Sequence, residues 1–180
     1  MDFSFRPYRT TEKHVLSQVR TLMEEAFPPS ERRAWKDFEQ LLSSEPRFTL
    51  FLLYREDSLL GFFTLWDLDS FFYGEHFALF PSLRGSGMGQ VFLEKICAYA
   101  RERQKPLVLE VERPEDELTR RRLEFYLRNS FSLLSREYIQ PSYALNSPEV
   151  PMYLLGTLPA DEASISTYVL CIKQAVYTRF

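Results

Sequence analysis

The chain has 180 residues, which is enough for one domain with a sizeable hydrophobic core. Its 22 basic and 25 acidic residues leave a net charge of −3, so the composition gives no case for a nucleic-acid partner. The sequence has no apolar run near the roughly 18 residues of a membrane span, and its first residues do not resemble a signal peptide. We therefore expect a cytoplasmic protein that contacts neither nucleic acid nor membrane.

Cysteine and histidine are too few and too dispersed to suggest a metal site. The two cysteines and two histidines show no short ligand spacing, which argues against bound zinc. Cys97 and Cys171 lie in apolar stretches, so we expect buried, reduced thiols rather than a disulfide. The composition therefore predicts a reducing compartment and no metal.

The N-terminal quarter predicts one strand and two helices. Apolar and polar residues alternate over Phe3–Tyr8, as in a short strand. Thr11 can cap a helix over about residues 12–26, which has apolar side chains at helical spacing and ends at two prolines. Ser30 can cap a second helix that continues to about Leu42.

The rest of the chain alternates between strands and helices. In chain order, these elements are strands over Arg47–Tyr54, Leu59–Leu68 and Phe71–Phe80, a helix over Met88–Arg103, a strand over Pro106–Glu112, a helix over Asp116–Arg128, strands over Phe131–Ile139 and Val150–Leu155, and a helix over Ala160–Tyr177. The strand–helix–strand unit over residues 71–112 predicts a parallel strand pair joined by a crossover helix. The element order therefore predicts a mixed α/β domain around one sheet.

Residues 77–90 combine a strand end, a glycine-rich loop and a helix start. Such a loop exposes backbone N–H groups, and the helix N-terminus adds partial positive charge, so the segment favours a bound pyrophosphate. A Walker loop is excluded because Gly89 is followed by Gln90 rather than lysine, and the glycine spacing is one residue short of a dinucleotide fingerprint. The pattern that fits is Arg-x-x-Gly-x-Gly, which begins at Arg84.

This pattern resembles the acyl-CoA loop of the GNAT acetyltransferases. The segment His76–Pro81 is similar to the strand that precedes the loop in that family, and Leu123–Phe131 resembles its helix-to-strand signature, Leu-Tyr-x-x-x-Gly-Phe. The resemblance covers about residues 45–135, and the run Glu24–Arg33 resembles a segment of a bacterial subgroup. Ser130 stands where the family has glycine, so a positive φ there costs about 1 kcal/mol unless the turn is reshaped.

The resemblance implies the GNAT fold, a mixed and mostly antiparallel sheet with a splayed parallel strand pair, flanked by helices. It implies a single domain over residues 1–180, with helices of about residues 12–42 on the acceptor side, an acetyl-CoA core over 71–131 and a C-terminal helix over about 160–177. The implied activity is transfer of an acetyl group from acetyl-CoA to a primary amine by direct attack, without a metal, in a monomer or homodimer.

The acceptor is not fixed by the resemblance. We expect a small-molecule amine. The alternatives are a peptide N-terminus or protein lysine, and a CoA-binding sensor or interaction domain that has lost catalysis.

The resemblance also implies which residues bind acetyl-CoA. The pyrophosphate would meet the backbone of the loop, with Arg84 adding charge, and the pantetheine arm would pair with the strand before it, where the N–H of Leu79 polarises the thioester carbonyl. Thr119 stands where many members have an asparagine that touches the cofactor. The complete predicted set is Phe77, Ala78, Leu79, Arg84, Gly85, Ser86, Gly87, Met88, Gly89, Gln90 and Thr119.

Two catalytic residues are predicted. Tyr126 matches the family tyrosine that protonates the leaving thiolate. Strand alternation places Glu75 with Tyr73 and Phe77 on the face that several relatives use for a base, and it places His76, a second candidate, on the opposite face. A chain of water molecules is the third alternative for accepting the proton. Glu110 is interpreted as a supporting carboxylate, a substrate contact or a strand charge at the open end of the sheet.

Overall fold

The computed structural model describes residues 3–144 and 147–177. The strands are β1 (Phe3–Pro7), β2 (Phe48–Arg55), β3 (Ser58–Asp67), β4 (Phe72–Leu79), β5 (Leu107–Glu112), β6 (Ser132–Ser135), β7 (Ile139–Gln140) and β8 (Val150–Gly156). The helices are α1 (Val15–Ala26), α2 (Trp35–Ser44), α3 (Met88–Glu102), α4 (Glu117–Arg128) and α5 (Glu162–Ile172), which ends in a π turn over Lys173–Tyr177. None of the helices in these ranges is long and apolar enough to cross a membrane.

The sheet has the order β1-β2-β3-β4-β5-β8-β6, and β7 pairs with β8. The β4–β5 pair is parallel, and the other strand pairs described are antiparallel. Helix α3 makes the crossover between the two parallel strands, so the predicted mixed fold is confirmed.

Each face of the sheet carries its own hydrophobic core. Helices α1, α2 and α5 cover one face, where Val19, Phe38 and Ile172 are fully buried. Helix α3 covers the other face through Phe92 and Ile96, and α4 packs against the same core. The two cores cover both faces of the sheet at its centre, where β4 and β5 are adjacent.

The structure differs from the sequence prediction in the second helix. The predicted cap at Ser30 is wrong, because residues Pro29–Glu31 form a 3₁₀ turn and α2 begins only at Trp35. Between the two, Arg32 is extended and Arg33 is buried at 2% exposure. The chain is extended rather than helical here, and the charged side chain of Arg33 is therefore buried against the sheet.

Smaller differences lie at other element ends. Helix α1 begins at Val15, after an N-terminal residue that makes no side-chain cap, so the predicted cap at Thr11 is wrong. The single strand predicted over Phe131–Ile139 is two short strands, β6 and β7. Cys97 is buried and Cys171 is half-buried, and both are free thiols.

Candidate active site

A β-bulge on β4 sets the geometry of the site. The register pairs Thr64 with His76 and Leu65 with Gly74, so Glu75 is an extra residue with no partner on β3. The bulge shifts the alternation by one position, and Glu75 and His76 therefore lie on the same face. The prediction that they point to opposite faces is wrong for this reason.

The parallel pair separates immediately beyond the bulge. Strands β4 and β5 pair over only three positions, ending at Gly74 and Leu109. Further along β4, Phe80 N–H donates to Leu60 O on β3 at 3.1 Å, and the register pairs Ala78 with Phe62. Alternate residues of an antiparallel strand bond to the same neighbour, so the N–H and C=O groups of Phe77 and Leu79 face the gap beside β5.

A cavity of about 720 Å³ occupies this gap. At one end it is lined by the glycine loop, and at the other by side chains from the turn before α2, from β4 and β5, and from α4. The lining residues with polar or backbone groups that a ligand could meet include Glu31, Glu75, His76, Leu79, Arg84, Gly85, Gly87, Gly89, Gln90, Glu110, Tyr126 and Gln140.

The glycine loop fits an anion through its backbone. Gly85 and Gly87 have φ values of +75° and +82°, and Gly87 is the N-cap of α3 without any side-chain cap. Within the described residues, the N–H groups of Gly85, Gly87, Met88 and Gly89 donate to no protein acceptor. Free N–H groups at the start of a long helix are the arrangement that binds phosphate groups.

The side chains around the loop play different parts. Arg84 is exposed, and its Nη2 lies 3.8 Å from Glu25 Oε1 at the end of α1. The Gln90 amide donates to Glu94 Oε1 at 3.0 Å, whereas the side chains of Ser86 and Met88 do not line the cavity. Between Arg84 and Gln90, which both line the cavity, the loop presents the backbone of its glycines rather than side chains.

Thr119 lies at the first turn of α4 and does not line the cavity. Its hydroxyl donates to Asp116 Oδ1 at 2.8 Å, and its N–H donates to the same oxygen at 2.7 Å. The two residues form a capping box, so the Thr119 hydroxyl is engaged in starting the helix.

Tyr126 lines the cavity from α4. Its ring packs edge-on against Phe125 at 5.2 Å and Phe131 at 5.5 Å, which fixes its orientation. Burial raises the pKa of Tyr126, so the phenol stays protonated at neutral pH. Its hydroxyl makes no hydrogen bond to any residue in the described ranges, and it is therefore available as a donor.

Ser130, which ends the same signature, has a φ of +67°. The turn that follows α4 therefore keeps the left-handed conformation despite the serine, and Phe131 N–H donates to Tyr126 O at 3.2 Å across it. The strain of this residue is retained rather than relieved by reshaping the turn.

Glu75 is held in a buried ion pair. Its carboxylate bonds to Arg33 Nη2, and the two side chains are 0% and 1% exposed, respectively. Trp66 Nε1 donates to Oε2 at 2.8 Å, and the Tyr143 hydroxyl donates to Oε1 at 2.9 Å. Burial acts to raise the pKa of Glu75, but the charges of Arg33 and His76 and the hydrogen bonds from Trp66 and Arg33 together outweigh it, and the pKa is lowered. Glu75 is therefore a fixed anion with its lone pairs in use.

His76 is packed and hydrogen-bonded. Burial lowers the pKa of His76, so the ring is neutral at pH 7. Its Nε2 lies 3.0 Å from the carbonyl oxygen of Glu31, and the ring meets Phe27 edge-on at 4.7 Å. The ring thus ties β4 to the turn before α2.

Glu110 is the second carboxylate on this face, and it lies on β5. The Tyr138 hydroxyl donates to its Oε1 at 2.5 Å, and the Tyr177 hydroxyl donates to its Oε2 at 3.0 Å. Burial nevertheless raises the pKa of Glu110 to about 7. A carboxyl group that lines the cavity and titrates near neutrality is suited to accept a proton.

The sequence carries one signal that could have singled out Glu110. This residue is the first charge in a central strand that is apolar up to that point, and a charged side chain in such a strand is rarely buried unless it is paired. Glu31 has no comparable signal, because it lies in the turn that the sequence predicts as helix. Burial and the nearby charge of Glu112 raise the pKa of Glu31 to about 7.

Comparison with known proteins identifies the family of the chain. Residues 16–129 match the Acetyltransferase (GNAT) family. A structure from Bacteroides thetaiotaomicron, described as a GNAT-family acetyltransferase, is 34% identical, with 97% of this chain and 98% of that chain covered and a TM-score of 0.89. A search of curated proteins finds no match.

More distant structures share the fold. The ribosomal-protein-S18-alanine N-acetyltransferase of Escherichia coli is 18% identical, with 89% of this chain and 97% of that chain covered and a TM-score of 0.64. A GNAT acetyltransferase from Elizabethkingia anophelis with acetyl-CoA bound is 14% identical, with 87% and 98% covered and a TM-score of 0.59. Since the family match spans more than half of the sequence and includes both the glycine loop and Tyr126, the chain belongs to the GNAT acetyltransferases, which are acyltransferases.

Proposed function

We propose that this protein is an N-acetyltransferase that transfers an acetyl group from acetyl-CoA to the primary amine of a small molecule. The observation that carries the proposal is one continuous cavity that joins an anion-binding loop to a phenol and a proton-accepting carboxyl group. Binding of acetyl-CoA in the Elizabethkingia relative supports the choice of donor.

The donor would lie along the glycine loop and β4. The free N–H groups of Gly85, Gly87, Met88 and Gly89 at the N-terminus of α3 would hold the pyrophosphate, with Arg84 at the rim. The outward backbone groups of Phe77 and Leu79 would pair with the amides of the pantetheine arm. The Leu79 N–H would then donate to the thioester carbonyl oxygen as negative charge develops on it. Thr119 remains a candidate contact, provided that its capping bond opens.

Transfer requires three proton movements. The acceptor arrives as an ammonium ion, which must lose one proton to solvent before its nitrogen can attack the carbonyl carbon. The C–N bond forms, the C–S bond breaks, and the second proton, which the nitrogen gives up as it becomes an amide, passes to the base and from there to solvent. The Tyr126 phenol donates its proton to the leaving sulfur, and it recovers a proton from solvent.

The base is better placed at Glu110 than at Glu75. The oxygens of Glu75 are bound by Arg33, Trp66 and Tyr143, so protonation would break a buried ion pair. Glu110 has no cationic partner among the described residues, and its pKa of about 7 lets it exist as a base and regain that state after each turnover at neutral pH. In this arrangement Glu75 anchors Arg33 and supports the bulge.

Two hydrogen bonds close the cavity at the end away from the glycine loop, and this closed end favours a small acceptor. The Gln140 amide on β7 donates to Ser30 O at 3.2 Å, and His76 holds the next residue of the same turn. These bonds connect the turn before α2 to β7 across the groove that an extended peptide would need. The S18-alanine acetyltransferase, which acts on a protein, shares only the fold with this chain.

The proposal is tested by a pooled screen. The wild-type protein is incubated with acetyl-CoA and pools of primary amines, diamines and short peptides, and released CoA is measured with a thiol reagent. We expect CoA release with at least one amine pool. Release with peptides alone would reject the small-molecule acceptor, and binding of acetyl-CoA without release in any pool would favour a sensor.

Glu110→Gln tests the base assignment because it keeps the size of the side chain and one oxygen acceptor but cannot take up a proton at neutral pH. We expect it to bind acetyl-CoA normally and to lose activity by about 100-fold or more at pH 7. Wild-type activity in this variant would show that another group accepts the proton.

A further inference from the structure

Glu110 is surrounded by phenols from three separate parts of the chain. Tyr73 comes from β4, Tyr138 and Tyr143 from the segment around β7, and Tyr177 from the C-terminal end. Within the described residues, Tyr177 is the phenol that contacts both oxygens of the Glu110 carboxylate, at 3.2 Å and 3.0 Å.

We propose that Tyr177 is a positioning residue that holds the Glu110 carboxylate in its proton-accepting form and orientation. The inference rests on the proposed function, because it assigns a role to the residue behind the proposed base. It concerns a part of the chain beyond residues 16–129, which the family match covers.

A change of helix type at the C-terminal end of α5 brings Tyr177 to Glu110. After Ile172, the α-helix widens into a π turn, and the last three described residues, Ala175, Val176 and Tyr177, are all buried. A π turn changes which face the following side chains occupy, and such turns concentrate at functional sites. Here it delivers a phenol to the centre of the sheet.

The hydroxyl protons can be assigned consistently. A phenol has one proton to donate. Tyr143 gives its proton to Glu75 at 2.9 Å, and Tyr138 gives its proton to Glu110. Tyr73 lies 3.2 Å from the Tyr177 oxygen and can donate to it, which leaves the Tyr177 proton for Glu110. The cluster therefore points the hydroxyls of Tyr138 and Tyr177, with that of Tyr73 also within hydrogen-bonding reach, at a carboxylate that has no cation beside it within the described part of the chain.

The charges around Glu110 define what the loss of Tyr177 would do. Glu75 faces it from β4 and disfavours its ionisation, while Arg33 is committed to Glu75. Tyr73, Tyr138 and Tyr143 are neutral because burial raises the pKa of each. Removing the Tyr177 hydroxyl removes a donor to the ionised form, so the pKa of Glu110 rises further.

The test is Tyr177→Phe, with the pH dependence of kcat/KM measured between about pH 5.5 and 9.5. We expect the ascending limb to move up by about one pH unit, with activity recovering at alkaline pH and acetyl-CoA affinity unchanged. Tyr168→Phe is the control, since Tyr168 lies on α5 and packs against Phe71 away from Glu110. A uniform loss of activity at all pH values, or an unchanged profile, would overturn the proposal.

A second readout separates this inference from the proposed function. The Glu110 carboxyl is titrated by ¹³C NMR in the protein without substrate, with Glu110→Gln identifying its signal. If the wild type releases no CoA with any acceptor, the proposed function fails, yet the Glu110 signal still tests Tyr177. We expect its midpoint to rise in Tyr177→Phe but not in Tyr168→Phe, and equal midpoints in all three proteins would reject the role of Tyr177.

Discussion

The two halves of the cavity are built by different means. The donor half is made of backbone from one continuous stretch, residues 77–90, in which two glycines at positive φ and the N-terminus of α3 leave N–H groups free. The acceptor half is made of side chains that lie far apart in sequence, including Arg33, Glu75, Glu110 and Tyr177.

This difference determines how each half responds to change. A backbone site tolerates most substitutions of its side chains, but it fails when a residue blocks the N–H groups or adds negative charge. A site of buried charges and phenols depends on complete sets of partners, since one missing partner leaves a buried charge uncompensated. Substitutions in the two halves should therefore separate donor binding from stability and turnover.

The largest expected effect is on the donor half, with Gly87→Glu. The new carboxylate would lie at the helix N-terminus, where the pyrophosphate is expected, and the repulsion should weaken acetyl-CoA binding by about 100-fold or more. Isothermal titration calorimetry measures this. Gly87→Ala is the control, because it adds the same backbone strain without the charge, and a Cβ there meets no atom within 4 Å. If Gly87→Glu binds like Gly87→Ala, the loop does not hold the pyrophosphate.

In the acceptor half, Glu75→Gln should act mainly on stability. It leaves the buried guanidinium of Arg33 without its counter-charge, and we expect a loss of about 3–5 kcal/mol in the free energy of unfolding at pH 7. Because the pKa of Glu75 is lowered in the folded protein, the ion pair contributes above the usual value of 4.5 and its contribution is lost as pH falls through the folded pKa. The difference between the variant and the wild type should therefore shrink in acid.

The same variant tests the base assignment. Assayed well below its melting temperature, Glu75→Gln should retain more activity than Glu110→Gln. An activity loss equal to that of Glu110→Gln, in a protein that is folded, would return the base role to Glu75.

Tyr126→Phe should give a smaller effect, confined to turnover. A thiolate is a fair leaving group, since the ordinary thiol pKa is about 8.5, so we expect kcat to fall by about 10-fold. The affinity for acetyl-CoA should not change, because the ring is held by Phe125 and Phe131 rather than by its hydroxyl. Tyr99→Phe, on α3, removes a comparable hydroxyl elsewhere and should leave kcat unaltered. An unchanged kcat in Tyr126→Phe would remove its role as the acid.

The contrast also explains what the sequence could predict. The glycine loop, the crossover helix and the signature around Tyr126 are local patterns, and the fold they implied is confirmed. Counting by twos along β4 predicts the faces of His76 and Phe77 wrongly, because the count loses its phase at a bulge, and nothing local marks that bulge.

The acceptor half depends on contacts that no local pattern encodes. Ser30 was predicted to begin a helix, but the chain there is held open by the burial of Arg33 against Glu75, 42 positions away. The environment of Glu110 requires phenols at positions 73, 138 and 177, which only the folded sheet brings together. At these sites, the burial of charged side chains against distant parts of the chain overrides the local secondary-structure propensity of the sequence.

The smallest expected effect concerns Ser130, at the end of the signature that contains Tyr126. Its φ of +67° costs a serine about 1–2 kcal/mol, and glycine would relieve this at the expense of about 0.5–1 kcal/mol of extra freedom in the unfolded chain. We expect Ser130→Gly to raise the free energy of unfolding by about 0.5 kcal/mol in urea titrations, with Ser130→Ala giving no gain because it keeps the Cβ. If the turn only supports the fold, kcat stays at the wild-type value. A fall in kcat on stabilisation would instead mean that the strained turn sets the position of Tyr126, so that turnover depends on a backbone conformation outside both halves of the cavity.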